Sequence, residues 1–146
     1  MAKILVVSHG LLAQGLCDAV AMIMGTDDVL DYVSLDANQG VEQLEQALNE
    51  KLCELLKTGD KVLVVCDLYF GCPFITASKC VSDALSAQQF RIVAGANLPM
   101  LLELCLVNET SPDDLDRLTE VALGKGKEGI VEFVSKAEAN VSDEAM

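Results

Sequence analysis

The apolar positions of this chain fall into short continuous runs that alternate with longer stretches of helical period. Ile4-Leu5-Val6-Val7 is one such run, closed by Ser8, His9 and Gly10, as a strand buried on both faces should read. Leu12, Leu16, Ala19, Val20 and Ile23 then recur along one helix face, and Gly25 stops that helix. Residues 29–35 read as a second strand. Asn38-Gln39-Gly40 opens a helix whose apolar face is Val41, Leu44, Leu48, Leu52 and Leu55, with Gly59 at its end. Residues 61–67 and 90–95 read as the third and fourth strands, separated by a helix over 74–87.

Asn97-Leu98-Pro99 starts a short helix through Leu106. Ser111-Pro112-Asp113-Asp114 reads as a helix start with a cap, a first-turn proline and acids suited to the dipole, the helix running to Lys127. Past Gly129, Ile130-Val131-Glu132-Phe133-Val134 is β-branched or aromatic enough to predict a strand. The polar stretch 136–146 reads as a disordered tail, leaving one domain over 1–135.

This alternation predicts an α/β fold: a doubly wound, mainly parallel four-stranded sheet, order 2-1-3-4, with helices on both faces. Ligands of such sheets bind beyond the carboxyl ends of the strands, where the strand order reverses. That place lies between the ends of the first and third strands, where His9 and Asp67 stand.

Composition narrows the class. Of the 146 residues 51% are hydrophobic and only 4% aromatic, so the core is aliphatic. No apolar run reaches membrane-span length, and the start of the chain shows no signal-peptide pattern, so a cytoplasmic protein is expected. A net charge of −13 argues against nucleic acid and anionic membrane surfaces. The six cysteines form no CxxC pair and fall mostly in apolar segments, as free buried thiols do. No spacing predicts a metal site or calls for a cofactor.

His9 is the chain's single histidine, and it sits at an element's edge rather than inside one. A carboxylate accepting from one ring nitrogen would fix the tautomer, leave the other nitrogen as nucleophile and favour the cationic ring of a phosphohistidine. Asp67 is the predicted partner. A phosphoryl group there needs hydrogen-bond donors, which the mouth of the first helix from Gly10 onward and the loop carrying Gly71 and Cys72 are placed to supply. A receiver-like reading would make Asp67 the phosphoacceptor, but the acidic pair it needs after the first strand is replaced by Ser8-His9.

Three motifs, in order, carry a resemblance. They are Ser8-His9-Gly10; Val65-Cys66-Asp67 leading to Gly71-Cys72-Pro73-Phe74 and Ala77-Ser78; and Val93-Ala94-Gly95-Ala96-Asn97-Leu98-Pro99-Met100-Leu101-Leu102-Glu103. Over nearly its whole length the chain resembles the IIA component of mannose-family sugar phosphotransferase systems. The resemblance implies that His9 takes a phosphoryl group on Nε2 from phospho-HPr and passes it to a histidine of the IIB component. Sugar is then phosphorylated during uptake through the membrane components IIC and IID, through which the protein would meet the membrane. It also implies that Asp67 orients His9, and that homodimers exchange a C-terminal antiparallel strand, here 130–134. No IIB-like segment follows Val134, so IIB is expected on a separate chain. Cys72 stands where the family often has serine, and a thiol is a poor donor. Leu68-Tyr69-Phe70 replaces a Trp-Gly-containing stretch. A related subunit feeding dihydroxyacetone kinase, and a regulatory docking domain of the same fold, are the alternative readings. No residue encodes the sugar.

Overall fold

The structure, a computed structural model, describes residues 2–26, 30–58, 61–83, 87–110 and 113–137. Four strands, β1 (Lys3–His9), β2 (Asp31–Leu35), β3 (Val62–Cys66) and β4 (Phe90–Ala94), form one parallel sheet in the order β2-β1-β3-β4. Helices α1 (Leu12–Met24), α2 (Val41–Thr58), α3 (Cys72–Asp83), α4 (Leu98–Thr110) and α5 (Leu115–Glu128) cover it. The expected fold class and strand order are those observed.

The continuous apolar runs of β1 and β3 follow from their central place. Ile4, Val6, Leu63 and Val65 point to one face and pack with Ala13 and Val20 of α1, Leu101 and Leu104 of α4, and Leu118 and Ala122 of α5. Leu5, Val7, Val62, Val64 and Cys66 point to the other, against Leu44, Leu48, Leu52 and Leu55 of α2 and Ala77 and Cys80 of α3. Alternate residues thus feed two cores, so neither face leaves a polar position.

Several boundaries differ from expectation. The first turn of α5 is capped by Asp114, whose carboxylate accepts from the Arg117 N–H at 3.0 Å, not by Ser111. Asp113 adopts φ 65°, a left-handed conformation, and the helix begins only at Leu115, while Ser111 and Pro112 lie outside the described residues. α4 runs past Leu106 to Thr110, and the amide of its buried Asn108 donates to the Ala2 carbonyl at 2.7 Å. α3 opens at Cys72, two residues early, with Pro73 in a first turn where a missing N–H leaves nothing unpaired. It is described to Asp83; residues 84–86 lie outside the described residues and Ala87–Gln89 is a 3-10 turn. Val29, Gly59 and residues 138–146 of the expected tail also lie outside them.

The Asn97-Leu98-Pro99-Met100 motif joins α4 to α5. The Asn97 side chain accepts from the Met100 N–H at 3.0 Å and donates to the Gly126 carbonyl at 2.9 Å. Beyond that point the expected strand 130–134 takes no place in the four-stranded sheet of the single chain. Its residues are irregular and exposed, Ile130 at 81% and Phe133 at 87%. Among the described residues no helix is long and apolar enough to cross a membrane.

Candidate functional site

The register of the central strands builds the site. Val7 of β1 stands opposite Cys66, the last residue of β3, so β1 runs two residues further. Asp67, the next residue of the chain, donates its N–H to the Val7 carbonyl at 3.1 Å, which keeps it in line beside His9. One carboxylate oxygen, Asp67 Oδ2, lies 2.8 Å from His9 Nδ1 and accepts the His9 backbone N–H at 2.9 Å. A carboxylate only accepts, so Nδ1 carries the proton and the ring lone pair lies at Nε2. The Asp67 side chain is 8% exposed and that of His9 45%, so the orienting group is buried while the ring it orients faces outward. Oδ1 of Asp67 is buried with no hydrogen-bond partner among the described residues.

The strand-to-helix turn is held by a residue to which the sequence motif assigned no task. Ser8, fully buried, accepts the Ala13 N–H on its Oγ at 2.7 Å and donates to the His9 carbonyl at 3.1 Å. Its hydroxyl therefore satisfies one of the unpaired amides of α1 while pinning the histidine's backbone. A buried hydroxyl between an apolar run and a helix mouth was the available signal. Gly10 follows at φ 54° and donates its N–H to the Leu35 carbonyl at 2.8 Å. The amide expected to face a phosphate is thus used to join β1 to the end of β2. Gly10 serves the turn.

Gly71 is likewise held in a turn. Its N–H donates to the Leu68 carbonyl at 3.1 Å, closing a tight turn. Its lack of a side chain is what the site uses, since a Cβ at this position would stand 2.9 Å from His9 Cε1. Cys72, exposed, opens α3, so its backbone N–H belongs to the unpaired first-turn donors beside the ring. The neighbouring thiol of Cys66 is fully buried, and burial, with the Asp67 charge second, pushes it up to about 12. Cys66 is therefore a protonated core residue and not a nucleophile.

Between Leu68 and Gly71 the loop carries Phe70 at φ 63°, a left-handed conformation costing a non-glycine residue about 1 kcal/mol or more. Its ring meets those of Tyr69 and Phe74 with centroids 4.4 and 5.7 Å apart, and Tyr69 meets Phe74 at 5.1 Å. Nothing in the sequence marks this backbone state.

Residues 3–120 match the family model described as the PTS system fructose IIA component. The PTS system mannose-specific EIIAB component of Escherichia coli strain K12 is 29% identical over 133 residues, covering 91% of this chain and 40% of that protein. The chain thus spans well under half the length of that relative. Among solved structures, the phosphotransferase system component EIIA from Streptococcus agalactiae superposes with a TM-score of 0.77 at 26% identity, covering 91% of this chain and 98% of that one. The mannose/sorbose specific IIA subunit from Enterococcus faecalis gives 0.74 at 27%, covering 92% and 96%. With more than half of its residues matched, and a fold and length shared with solved EIIA structures, the chain belongs to the mannose/fructose family of phosphotransferase-system IIA components.

Proposed function

We propose that this chain is a phosphocarrier that takes a phosphoryl group on Nε2 of His9 from phospho-HPr and passes it to a histidine of a IIB component. The observation that carries the reading is the double hydrogen bond of His9 to Asp67 Oδ2. It leaves one ring nitrogen with a lone pair, half exposed, at the carboxyl end of a central strand.

The step balances simply. The Nε2 lone pair attacks phosphorus, the P–N bond to the donor's histidine breaks, and that electron pair returns to the donor's ring. His9 becomes a cationic phosphoimidazole whose Nδ1–H stays on Asp67, so the carboxylate stabilises the charge that transfer creates. Passage to IIB is the same displacement in reverse. First-turn amides of α3, Cys72 foremost, are suited to the transferred phosphoryl oxygens. Asp67 itself is a poor alternative acceptor: it is buried, and its Oδ2 already takes two N–H groups.

The working unit in this reading is a homodimer in which each chain lends residues 130–134 to its partner. The exposure of Ile130, Val131 and Phe133 in the single chain supports it.

Incubation with phosphoenolpyruvate, enzyme I and HPr, followed by intact-mass analysis, tests the carrier role. One added phosphoryl group, lost in acid, kept in base and absent from His9→Ala, is expected. The same gain surviving in His9→Ala would move the acceptor elsewhere.

A further inference from the structure

We infer that the cleft between α1 and β2 is a binding site for a small organic cation, an ammonium group carried on an apolar body. The cleft has a volume of about 630 Å³, within the size range of small-molecule sites. Leu11, Ala21, Leu30 and Tyr32 give it apolar walls, and Tyr32 remains 42% exposed there. Gly15 is the residue that the fold alone does not explain. It lies inside α1, its N–H bonded to the Leu11 carbonyl at 2.9 Å, where glycine weakens a helix relative to alanine. Packing asks for no glycine here, because a Cβ would meet no atom within 4 Å. Gly15 lines the cleft, so its bare backbone keeps that volume open.

The polar lining sets the charge of the occupant. Gln14 and Asp18 make no hydrogen bond or ion pair with any described residue, which leaves an amide and a carboxylate unspent on the cleft wall. Among the described residues no lysine, arginine or histidine lines it. Lys51 lies 3.9 Å from Asp31 but not against the cleft. The Cys17 thiol on the same wall is pushed up to about 11 by burial, with the Asp31 charge second. That thiol is protonated and inert, so the occupant is held without a covalent bond. A carboxylate, an amide oxygen and a tyrosine ring suit an organic ammonium, whereas an anion would meet Asp18 with nothing to offset it.

Titration of 2-phenylethylammonium into the isotopically labelled full chain, followed through its backbone amide NMR signals, tests the site. Saturable shifts at Gly15 and Tyr32 are expected, with uncharged 2-phenylethanol binding about tenfold more weakly or worse. Asp18→Asn should weaken the ammonium about tenfold. Gly15→Leu should fill the cleft and abolish the shift at Tyr32. Its thermal midpoint should equal or exceed that of the parent chain, because the Cβ has room and leucine favours a helix. Shifts that never saturate overturn the inference, as does equal affinity for the ammonium and the alcohol. Binding that survives in both variants also overturns it. Shifts centred on Glu42, Glu45 and Glu50 of α2 would mark a general attraction of cations to an acidic chain, with the same consequence. A smaller sedimenting mass for Gly15→Leu than for the parent would make the cleft an interface between copies, and overturns it too.

Discussion

The backbone of Gly71 lies beside the imidazole of His9, so close that a methyl group at 71 would stand 2.9 Å from Cε1 and 3.3 Å from the Leu68 carbonyl oxygen. The histidine is thus clamped between a carboxylate at its Nδ1 edge and a bare stretch of main chain. Gly71→Ala must push the ring, and the ring can move only by loosening its 2.8 Å bond to Asp67. Phosphoryl transfer should fall about tenfold or more, because misplacement of a reacting atom by an ångström is worth that much. The fold should lose only about 1–2 kcal/mol, since the clash meets a half-exposed side chain. Single-turnover transfer and urea unfolding on the same sample check both. An unaltered rate would show that the ring has other room to turn.

Asp67→Asn separates charge from hydrogen bonding. The amide oxygen can still accept the His9 N–H groups, so the neutral tautomer persists, but the negative charge that favours the cationic phosphoimidazole is gone. Transfer should slow by about 100-fold or more. The new NH2 group would occupy the place of Oδ1, which is buried without a partner among the described residues, and stability should drop by about 1–3 kcal/mol. Rapid-quench kinetics against denaturant titration reads the two apart. Unchanged kinetics would remove Asp67 from the mechanism.

What could be read from the chain follows how local each determinant is. The runs at Ile4–Val7 and Val62–Cys66 could only be strands covered on both faces, and their order brought His9 and Asp67 to one rim. Hydrogen-bond destinations were another matter. Whether the Gly10 N–H faces a ligand or the Leu35 carbonyl depends on register with a strand 25 residues on, and residue type does not encode it. Ser111-Pro112-Asp113-Asp114 offers more than one competent cap, and the left-handed turn at Asp113 decides for Asp114. Phe70 shows the limit most clearly, since a phenylalanine gives no hint that its backbone will adopt a glycine's conformation. At 130–134 the β-branched pattern is plain, yet a strand needs a neighbour, and in the single chain the segment pairs with none.

Alkaline pH should expose the buried thiols. Burial pushes Cys66 and Cys105 from an ordinary 9.0 up to about 12, with the charge of Asp67 a lesser cause at Cys66, and Cys17 and then Glu109 at Cys105. Above pH 9 the unfolded chain releases these protons while the folded chain keeps them, so the unfolded state binds fewer and stability falls as pH rises. The contribution is whole below pH 9 and is lost between about 9 and 12, at about 1.4 kcal/mol per pH unit for each thiol. Denaturant midpoints from pH 8 to 11 should therefore decline more steeply for the parent chain than for Cys66→Ala/Cys105→Ala. Parallel slopes would mean that neither thiol is held protonated.

In the homodimer proposed above, the strand exchange turns on Gly129. A Cβ there would come within 2.5 Å of the Pro99 ring, so α5 ends hard against the start of α4, and the chain after it departs from a fixed point. Its Ile130, Val131 and Phe133 are too exposed to be stable in a lone chain, and β2 and β4 each have one neighbour, which leaves open sheet edges. In the proposed dimer each chain's 130–134 adds an antiparallel strand to the other, which covers these side chains and one of the two edges. Ending the chain at Glu128 should then convert a dimer into a monomer, now with an uncovered edge and a tendency to associate without limit. Because truncation can disturb α5 as well, Val131→Asp/Phe133→Asp in the full chain provides the second measurement. Sedimentation equilibrium should report a mass near the 15.6 kDa of a single chain for that variant and near twice it for the parent. Dimers of equal strength in all three proteins would place the interface elsewhere and leave 130–134 without a partner.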